Sequence, residues 1–437
     1  MEWPLILLLV LGVLIFLMLT GLPIAFCFLA INLVGVYLFF GGEAGFLQLA
    51  RNMYRSLAIF PLLTIPLFIL MGEVMFRSGI GFEVIRILDK WMGRLPGRLG
   101  LLAVAAGTLF GTTSGSTVAS TAMLGTLLTP EMEKYGYKKP ISIGAVMGSG
   151  GLAMIIPPSG LAVLLATIAE FSIGQLLIAG IIPGLVIATL YASYIIFRCW
   201  LQPSIAPSYE VITVPLREKI MPTIRIALPL GFIIFMVLGL IFIGVATPTE
   251  AAAMGVIGTL IMAAVYKKLN WKVVKESVAG TLSITVMVLL VITAAITFSQ
   301  ILAYSGVSRG LVALAGGLNI HPLLIMGMMQ LVMLFLGTFM DVTAIMMVTI
   351  PIYMPIVIAL GFNPIWFGLI MLINLEMAMT TPPFGILLFV MKGVAPRGTT
   401  LTDVIKAGLP FLLCDTTTML LCLFFPILVL WLPNLMI

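Results

Sequence analysis

The chain has 437 residues, of which 62% are hydrophobic and only 9% are charged, and its formal net charge is +6. An ordinary soluble domain carries about 25% charged residues, so this composition excludes a soluble fold of this length. Apolar runs of about 18 residues or more, each long enough to cross a hydrocarbon core of roughly 30 Å, recur from end to end. The sequence therefore predicts an all-α integral membrane protein with no soluble domain.

The first apolar stretch, residues 3–21, follows an acidic residue and no basic one. This arrangement predicts a transmembrane helix rather than a cleaved signal peptide. Basic residues gather in five segments between apolar runs, namely 86–98, 134–139, 198–225, 267–275 and 392–406. Because Lys and Arg concentrate in cytoplasmic loops, the positive charge predicts membrane topology and not nucleic-acid binding.

Two re-entrant hairpins follow from this topology. The basic clusters on both sides of residues 99–132 are both cytoplasmic only if that segment enters the membrane and returns on the same side. A second hairpin is predicted at 321–361, opening to the opposite face. Each is followed by a helix interrupted within the membrane, at 141–170 and 364–392. The complete topology has ten full spans, two opposed hairpins and both termini outside.

An internal repeat supports this topology. Six residues recur 225 positions later in the chain: Pro130, Gly136, Met154, Pro157, Pro158 and Gly160 correspond to Pro355, Gly361, Met379, Pro382, Pro383 and Gly385. The predicted units are scaffold helices over 1–56, a first repeat over 57–200, a linker with scaffold helices over 201–276, and a second repeat over 277–433. Opposed halves with helix breakers at membrane depth are typical of inverted-repeat secondary transporters.

The predicted breaks suggest cation sites. The first interrupted helix is predicted to break at 148–151 and again at 156–160, and the second at 380–385. A Pro-Pro pair frees backbone carbonyls, which in lipid require a partner such as a sodium ion. The predicted sodium-binding residues are Ser114, Gly115, Ser116, Ile156 and Pro157 in the first half, and Gly337, Thr338, Asp341, Thr380, Thr381 and Pro382 in the second.

The hairpin tips present helix N-termini, which favour an anion. An organic carboxylate is therefore predicted to bind between the tips. The residues predicted to contact it are Ser116, Thr117, Asp341 and Thr343. Asp341 is the strongest acidic candidate because it lies at a tip. Structural or interfacial roles explain the remaining acids of the apolar segments equally well: Glu73, Glu250, Glu376 and Asp415.

Enzymatic function is not supported. The sequence has one histidine, His321, and four cysteines without metal-ligand spacing. It also has no phosphate-cradling Gly-Lys-Ser/Thr loop, so neither metal-dependent hydrolysis nor nucleotide-driven pumping is supported. No cofactor is expected beyond sodium as a coupling ion.

Three segments together resemble the large membrane subunit, or permease, of tripartite ATP-independent periplasmic (TRAP) transporters: TSGSTVAS at 113–120, GGLAMIIPPSG at 150–160 and TTPPFG at 380–385. The resemblance implies a sodium-coupled elevator fold of the ion-transporter superfamily in the bacterial inner membrane. It also implies two partners, a small four-helix membrane subunit and a periplasmic substrate-binding protein. The implied substrates are organic anions, namely sialic acid, which is slightly preferred, other sugar acids and C4-dicarboxylates.

Two alternatives remain open at this stage. A stand-alone sodium/dicarboxylate symporter would share the inverted repeats and transport without a binding protein. A channel or a structural membrane scaffold belongs to a different class and would show sodium-independent flux or no flux. Proton coupling in place of sodium coupling is also open.

Overall fold

The computed structural model describes residues 2–93, 95–114, 117–207, 215–383 and 385–436, with the backbone alone over 110–114. Within these ranges the chain is helical and contains no β-strand. In the part of the chain that the structure describes, seven helical segments are long and apolar enough to cross a membrane, and five shorter helices are also apolar. The predicted all-helical membrane class is confirmed.

The chain begins with three helices that precede the first half. They are α1 (Trp3–Leu19), α2 (Ile24–Phe39) and α3 (Glu43–Leu57). The first half contains α4 (Thr64–Arg77), α5 (Ile80–Met92), α6 (Arg98–Ser114), α7 (Thr117–Lys134), α8 (Lys139–Gly151), α9 (Gly160–Ile168), α10 (Ile173–Ala179) and α11 (Ile181–Leu201).

Three helices connect the halves: α12 (Leu216–Pro222), α13 (Leu228–Phe242) and α14 (Pro248–Val265). The second half contains α15 (Trp271–Tyr304), α16 (Val307–Gly317), α17 (Pro322–Gly337), α18 (Val342–Ala359), α19 (Pro364–Thr380), α20 (Ile386–Val394), α21 (Leu401–Phe424) and α22 (Ile427–Asn434).

The order of elements in the first half recurs in the second. In each half one helix leads into the next through a left-handed glycine, Gly79 with φ +71° before α5 and Gly306 with φ +81° before α16. Glycine adopts this conformation without the steric cost of a Cβ. A helix pair then follows, and after it a helix that ends before a Pro-Pro pair, α8 at Gly151 and α19 at Thr380. The opposed membrane orientation of the halves stays a prediction.

Helix α8 lies between the first helix pair and the second half, packing against α6, α7 and α21. Small residues permit this close approach, because a Cβ at Gly144 would overlap the Ala407 carbonyl and one at Gly148 would lie 2.9 Å from the Phe411 ring. Small residues one turn apart commonly bring membrane helices into contact. Helix α19 similarly packs against α17 and α21, so both interrupted helices lie in the densely packed interior.

The prediction of a break at 148–151 is wrong, because α8 continues through these residues to Gly151. The glycines serve close packing instead. A Cβ at Gly150 would overlap Thr121 of α7, and one at Gly151 would overlap the Glu376 carboxyl of α19. After Gly151 a 3₁₀ turn covers Leu152–Met154, and α-helical geometry resumes only at Gly160, so the interruption includes the second predicted position.

The outer surface is apolar. Leu8 of α1 and Phe235 of α13 are 73% and 74% exposed, and similar exposed Leu, Ile, Val and Phe side chains cover both helices. Such a surface is unfavourable in water and suits lipid or another membrane subunit.

Candidate functional site

A cavity of about 390 Å³ lies where four helices begin. Its lining includes residues from the first turns of α7, α9, α18 and α20, namely Thr117, Gly160, Val342 and Ile386. Each helix N-terminus has unpaired backbone N–H groups and a partial positive charge. Four such ends around one space create a site that attracts an anion.

Asp341 is fixed at the start of α18. Its Oδ1 accepts hydrogen bonds from the backbone N–H groups of Thr343, at 2.8 Å, and Ala344, at 3.3 Å. This is an N-cap, which uses a short acidic side chain to satisfy the exposed N–H groups of the first turn. Asp341 and Thr343 both line the cavity, so the structure brings these two predicted site residues together.

Thr117 joins the start of α7 to the end of α19. Its side chain is buried, and its hydroxyl donates to the sulfur of Met379 at 3.4 Å. Met379 was not among the residues predicted from sequence, although its repeat partner Met154 precedes the first Pro-Pro pair. Both Thr117 and Met379 line the cavity.

The first break lies between α8 and α9. Ser159 caps α9, because its hydroxyl accepts from the Ala162 N–H at 3.3 Å and donates to the Met154 carbonyl at 2.6 Å. Ile156 and Pro157 are buried in this turn. Of the other predicted members of this sodium site, the Ser114 side chain, Gly115 and Ser116 lie outside the described residues.

The second break adjoins the turn between α17 and α18. A Cβ at Gly337 would overlap Ala378, so this turn packs directly against the last turn of α19. The hydroxyls of Thr380 and Thr381 both donate to the Met377 carbonyl, at 2.9 and 2.7 Å. Their oxygens therefore retain lone pairs for a further partner.

The remaining residues predicted for the second sodium site lie at the same turn and break. Thr338 follows Gly337, and its hydroxyl donates to the Phe335 carbonyl at 2.7 Å. Pro382 is partly exposed just beyond the end of α19. Hydroxyl oxygens, helix C-terminal carbonyls and the Asp341 carboxylate are the oxygen ligands that suit an alkali cation. Within the described residues no cluster of three His, Cys, Asp or Glu side chains is placed to hold a metal ion.

The opposite wall of the cavity is formed by α4 and α15 and is mainly apolar, with Ile69 and Met287 among its residues. Glu73 is the acidic residue of this wall, and its Oε2 pairs with Arg77 Nε at 2.5 Å. Arg77 also pairs with Glu276 of α15 at 3.2 Å. The charge of Glu73 is thus compensated on its own side of the cavity.

Two further acidic residues of the apolar segments, Glu376 and Asp415, are buried away from the cavity. Asp415 accepts a hydrogen bond from the Tyr191 hydroxyl at 2.5 Å, and Glu376 lies beside it in the core. By contrast, Glu250 completes a capping box with Thr247 at the start of α14. His321 caps α17 at an exposed position.

Comparison with known proteins identifies the family. Residues 11–428 match the family model described as the tripartite ATP-independent periplasmic transporter, DctM component. The chain is 32% identical to the uncharacterized protein YgiK of Salmonella typhimurium over 95% of this chain and 94% of that protein. It is 29% identical to the C4-dicarboxylate TRAP transporter large permease protein DctM of Rhodobacter capsulatus, covering 98% and 99%. It is 28% identical to the ectoine TRAP transporter large permease protein TeaC of Halomonas elongata, covering 96% and 97%.

Solved structures show a related fold. MtrF of Neisseria gonorrhoeae, described among antimetabolite efflux pumps, aligns with a TM-score of 0.64 and 14% identity over 87% of this chain and 84% of that one. The YdaH transporter of Alcanivorax borkumensis aligns with a TM-score of 0.62 and 15% identity over 88% and 90%. The resemblance noted in the three sequence motifs is confirmed by the family match. The chain is a multi-pass membrane protein that belongs to the DctM component of the tripartite ATP-independent periplasmic transporters, a family of permeases and not of enzymes.

Proposed function

We propose that this chain moves an organic acid anion into the bacterial cell across the inner membrane, coupled to sodium ions, as the large membrane subunit of a TRAP transporter. The observation that carries this proposal is the cavity into which four helix N-termini open. Relatives are named for the transport of C4-dicarboxylates and of ectoine, solutes that carry a carboxylate group, which agrees with an anion-attracting site. Sialic acid and other sugar acids belong to the same chemical class.

The substrate carboxylate binds at the N-termini of α7 and α18. Backbone N–H groups there, other than the two that Asp341 caps, supply hydrogen bonds. Thr343 adds a hydroxyl donor, and Thr117 adds another when its hydroxyl turns from the Met379 sulfur to the substrate. Ser116 is proposed to contribute a third hydroxyl by its position before Thr117. The apolar wall formed by α4 and α15 accommodates the carbon skeleton of the substrate.

Sodium ions bind at the two Pro-Pro breaks. At the second break, the contact of Gly337 with Ala378 places the α17–α18 turn against the carbonyl end of α19. A sodium ion held there joins the turn that carries Asp341 to the interrupted helix, and so fixes the helix N-terminus that the substrate uses. Because each ligand then stabilises the arrangement that the other requires, sodium and substrate bind cooperatively.

An elevator movement suits the position of the cavity. One wall consists of α4 and α15, which pack against α2 and α14, and the other consists of the helix pairs and breaks. In the proposed mechanism the second group carries substrate and sodium past the first, so that the cavity opens to one side of the membrane at a time.

The proposed partners are a small four-helix membrane subunit and a periplasmic substrate-binding protein. Exposed apolar side chains on α1 and α13 provide surface for lipid and for the small subunit. The binding protein delivers the anion and narrows the choice of substrate. A stand-alone sodium/dicarboxylate symporter remains the second candidate. One observation favours it, namely that residues of this single chain form all of the described cavity lining.

Reconstitution tests this proposal. Uptake of radiolabelled succinate, sialic acid and ectoine is measured in liposomes that contain this chain, the small subunit and the cognate binding protein, with each component omitted in turn and sodium replaced by choline. We expect uptake only with all three proteins and sodium. Uptake by this chain alone would favour the stand-alone symporter, and flux that persists in choline would contradict sodium coupling.

A further inference from the structure

Glu376 is an acidic side chain in the tightly packed interior of the protein, outside the cavity. It is 1% exposed, and neither of its carboxyl oxygens makes a hydrogen bond of good geometry within the described part of the chain. Its carboxyl lies against Gly151, at the last residue of α8, where even a Cβ would overlap it. An ionised carboxylate in such a place requires a partner that the surrounding side chains do not supply.

The neighbouring acid, Asp415, is also 1% exposed and interacts with Glu376. It accepts a hydrogen bond from the Tyr191 hydroxyl, and such a donor stabilises the ionised form of a carboxyl, whereas Glu376 receives none within the described part of the chain. Asp415 is therefore the charged member of the pair. A second negative charge on Glu376 would add repulsion to the cost of desolvation.

No basic side chain compensates this pair among the described residues. The titratable groups that face it are Tyr191 of α11 and Cys414 of α21. The basic residues of the helices packed around it lie near helix ends and away from the pair: Lys139, Arg198, Lys392 and Lys406. Helices α9, α10, α17, α18 and α22 bring no titratable side chain against either carboxyl.

The helix ends around Glu376 also disfavour its ionised form. Its carboxyl contacts the C-terminal end of α8, and Glu376 itself lies in the last turns of α19. Both ends carry partial negative charge and unpaired carbonyls. A protonated carboxyl is a hydrogen-bond donor that these carbonyls can accept, whereas a carboxylate is repelled by them.

We propose that Glu376, Asp415 and Tyr191 form a proton-binding site in the interior of the protein, in which Glu376 carries the proton and Asp415 is ionised. Close packing favours a proton over a metal ion, because a proton occupies no volume and needs no shell of oxygen ligands. The site lies about one turn before Thr380, so a sodium ion at the second break would favour release of the proton. Only this last coupling rests on the proposed function.

Infrared spectroscopy tests the site directly. A protonated carboxylic acid has a carbonyl stretching band that is separate from the carboxylate bands and shifts in D2O. Spectra of the purified full-length protein are recorded at neutral pH, once in sodium chloride and once in choline chloride. We expect this band in the wild type in choline and its loss in Glu376→Gln. We also expect Tyr191→Phe to keep the band and shift its frequency, because Asp415 loses its hydrogen bond.

Glu250→Gln is the matched control, since this change removes an exposed carboxyl from a capping box and should leave the band unchanged. A wild-type spectrum in choline without a band sensitive to Glu376→Gln or Tyr191→Phe would show that both acids are ionised and would overturn the proposal. Loss of the wild-type band in sodium supports the coupling, and its persistence leaves the proton site intact but uncoupled. These spectra require no transport, so their failure is separate from failure of the proposed function.

Discussion

Asp341 combines two roles that a mutation can separate. Its carboxylate caps α18 through the N–H groups of Thr343 and Ala344, and it places a negative charge beside the second break. Asparagine caps helices about as well as aspartate, so replacing Asp341 by Asn removes the charge and preserves the cap. Alanine removes both.

We expect Asp341→Asn to fold normally and to bind sodium at least about tenfold more weakly, since a charge-assisted contact contributes roughly 1.5–3 kcal/mol. The measurement is the sodium concentration that gives half-maximal uptake. Asn363→Ala is the control, because Asn363 caps α19 with the same geometry, accepting from the N–H of Ile365 at 2.8 Å. This control should lower thermal stability and leave the sodium dependence unchanged. An unaltered sodium dependence in Asp341→Asn would remove Asp341 from the sodium site.

The sequence predicts some residues of the site better than others, for physical reasons. Prolines and glycines interrupt helices through local effects, so the residue types alone predict the second break and the helix caps beside it. The hydrogen bond from Tyr191 to Asp415 joins positions 224 residues apart, and no local pattern marks Tyr191 as a polar partner. Glycines at 148–151 predict a helix break and instead lie within α8, because glycine serves both chain reversal and close helix contact.

At the scale of elements, the structure depends on short contacts between turns and helix ends. Helix α17 ends at Gly337, and the side chain of Ala378 on α19 packs directly against this glycine. This contact holds the turn with Thr338 and Asp341 beside the carbonyl end of the interrupted helix. The contact acts between two separate helices, so the sequence alone does not show it.

Gly337→Ala should separate the turn from α19, because its added methyl would overlap the Ala378 side chain. Overpacking of this kind costs about 1–3 kcal/mol. We expect a lower melting temperature and a large loss of sodium-dependent uptake, both restored in part when Ala378→Gly is added. Gly327→Ala on the same helix has nothing within 4 Å of the new methyl and should leave both unchanged. If Gly337→Ala retains full uptake, the contact does not position the site.

At the scale of the whole molecule, the proposal of one sodium site at each break predicts two sodium ions per cycle. Two cations with a monovalent anion move one net positive charge inward, whereas two cations with a dianion move none. A charge that crosses 100 mV changes the free energy by about 2.3 kcal/mol, which corresponds to about fiftyfold in a concentration ratio.

We therefore expect an inside-negative potential to raise the accumulation of a monovalent anion such as sialate by up to about fiftyfold per 100 mV. The accumulation of a dicarboxylate dianion should be unaffected. A potassium gradient with valinomycin sets the potential in the reconstituted liposomes, and accumulated label is measured at steady state. Equal accumulation of the monovalent anion at zero and at negative potential would exclude a stoichiometry of two sodium ions.

Among the residues that the structure describes, the cavity lining contains no Lys, Arg or His side chain, so the attraction for an anion comes from backbone amides at the helix N-termini. Amide groups do not change their charge within the range of pH in which proteins stay folded. The contribution of these amides to the binding of a fully dissociated substrate should therefore be the same in acidic and alkaline surroundings. A cell that acidifies its own medium would keep this contribution unchanged.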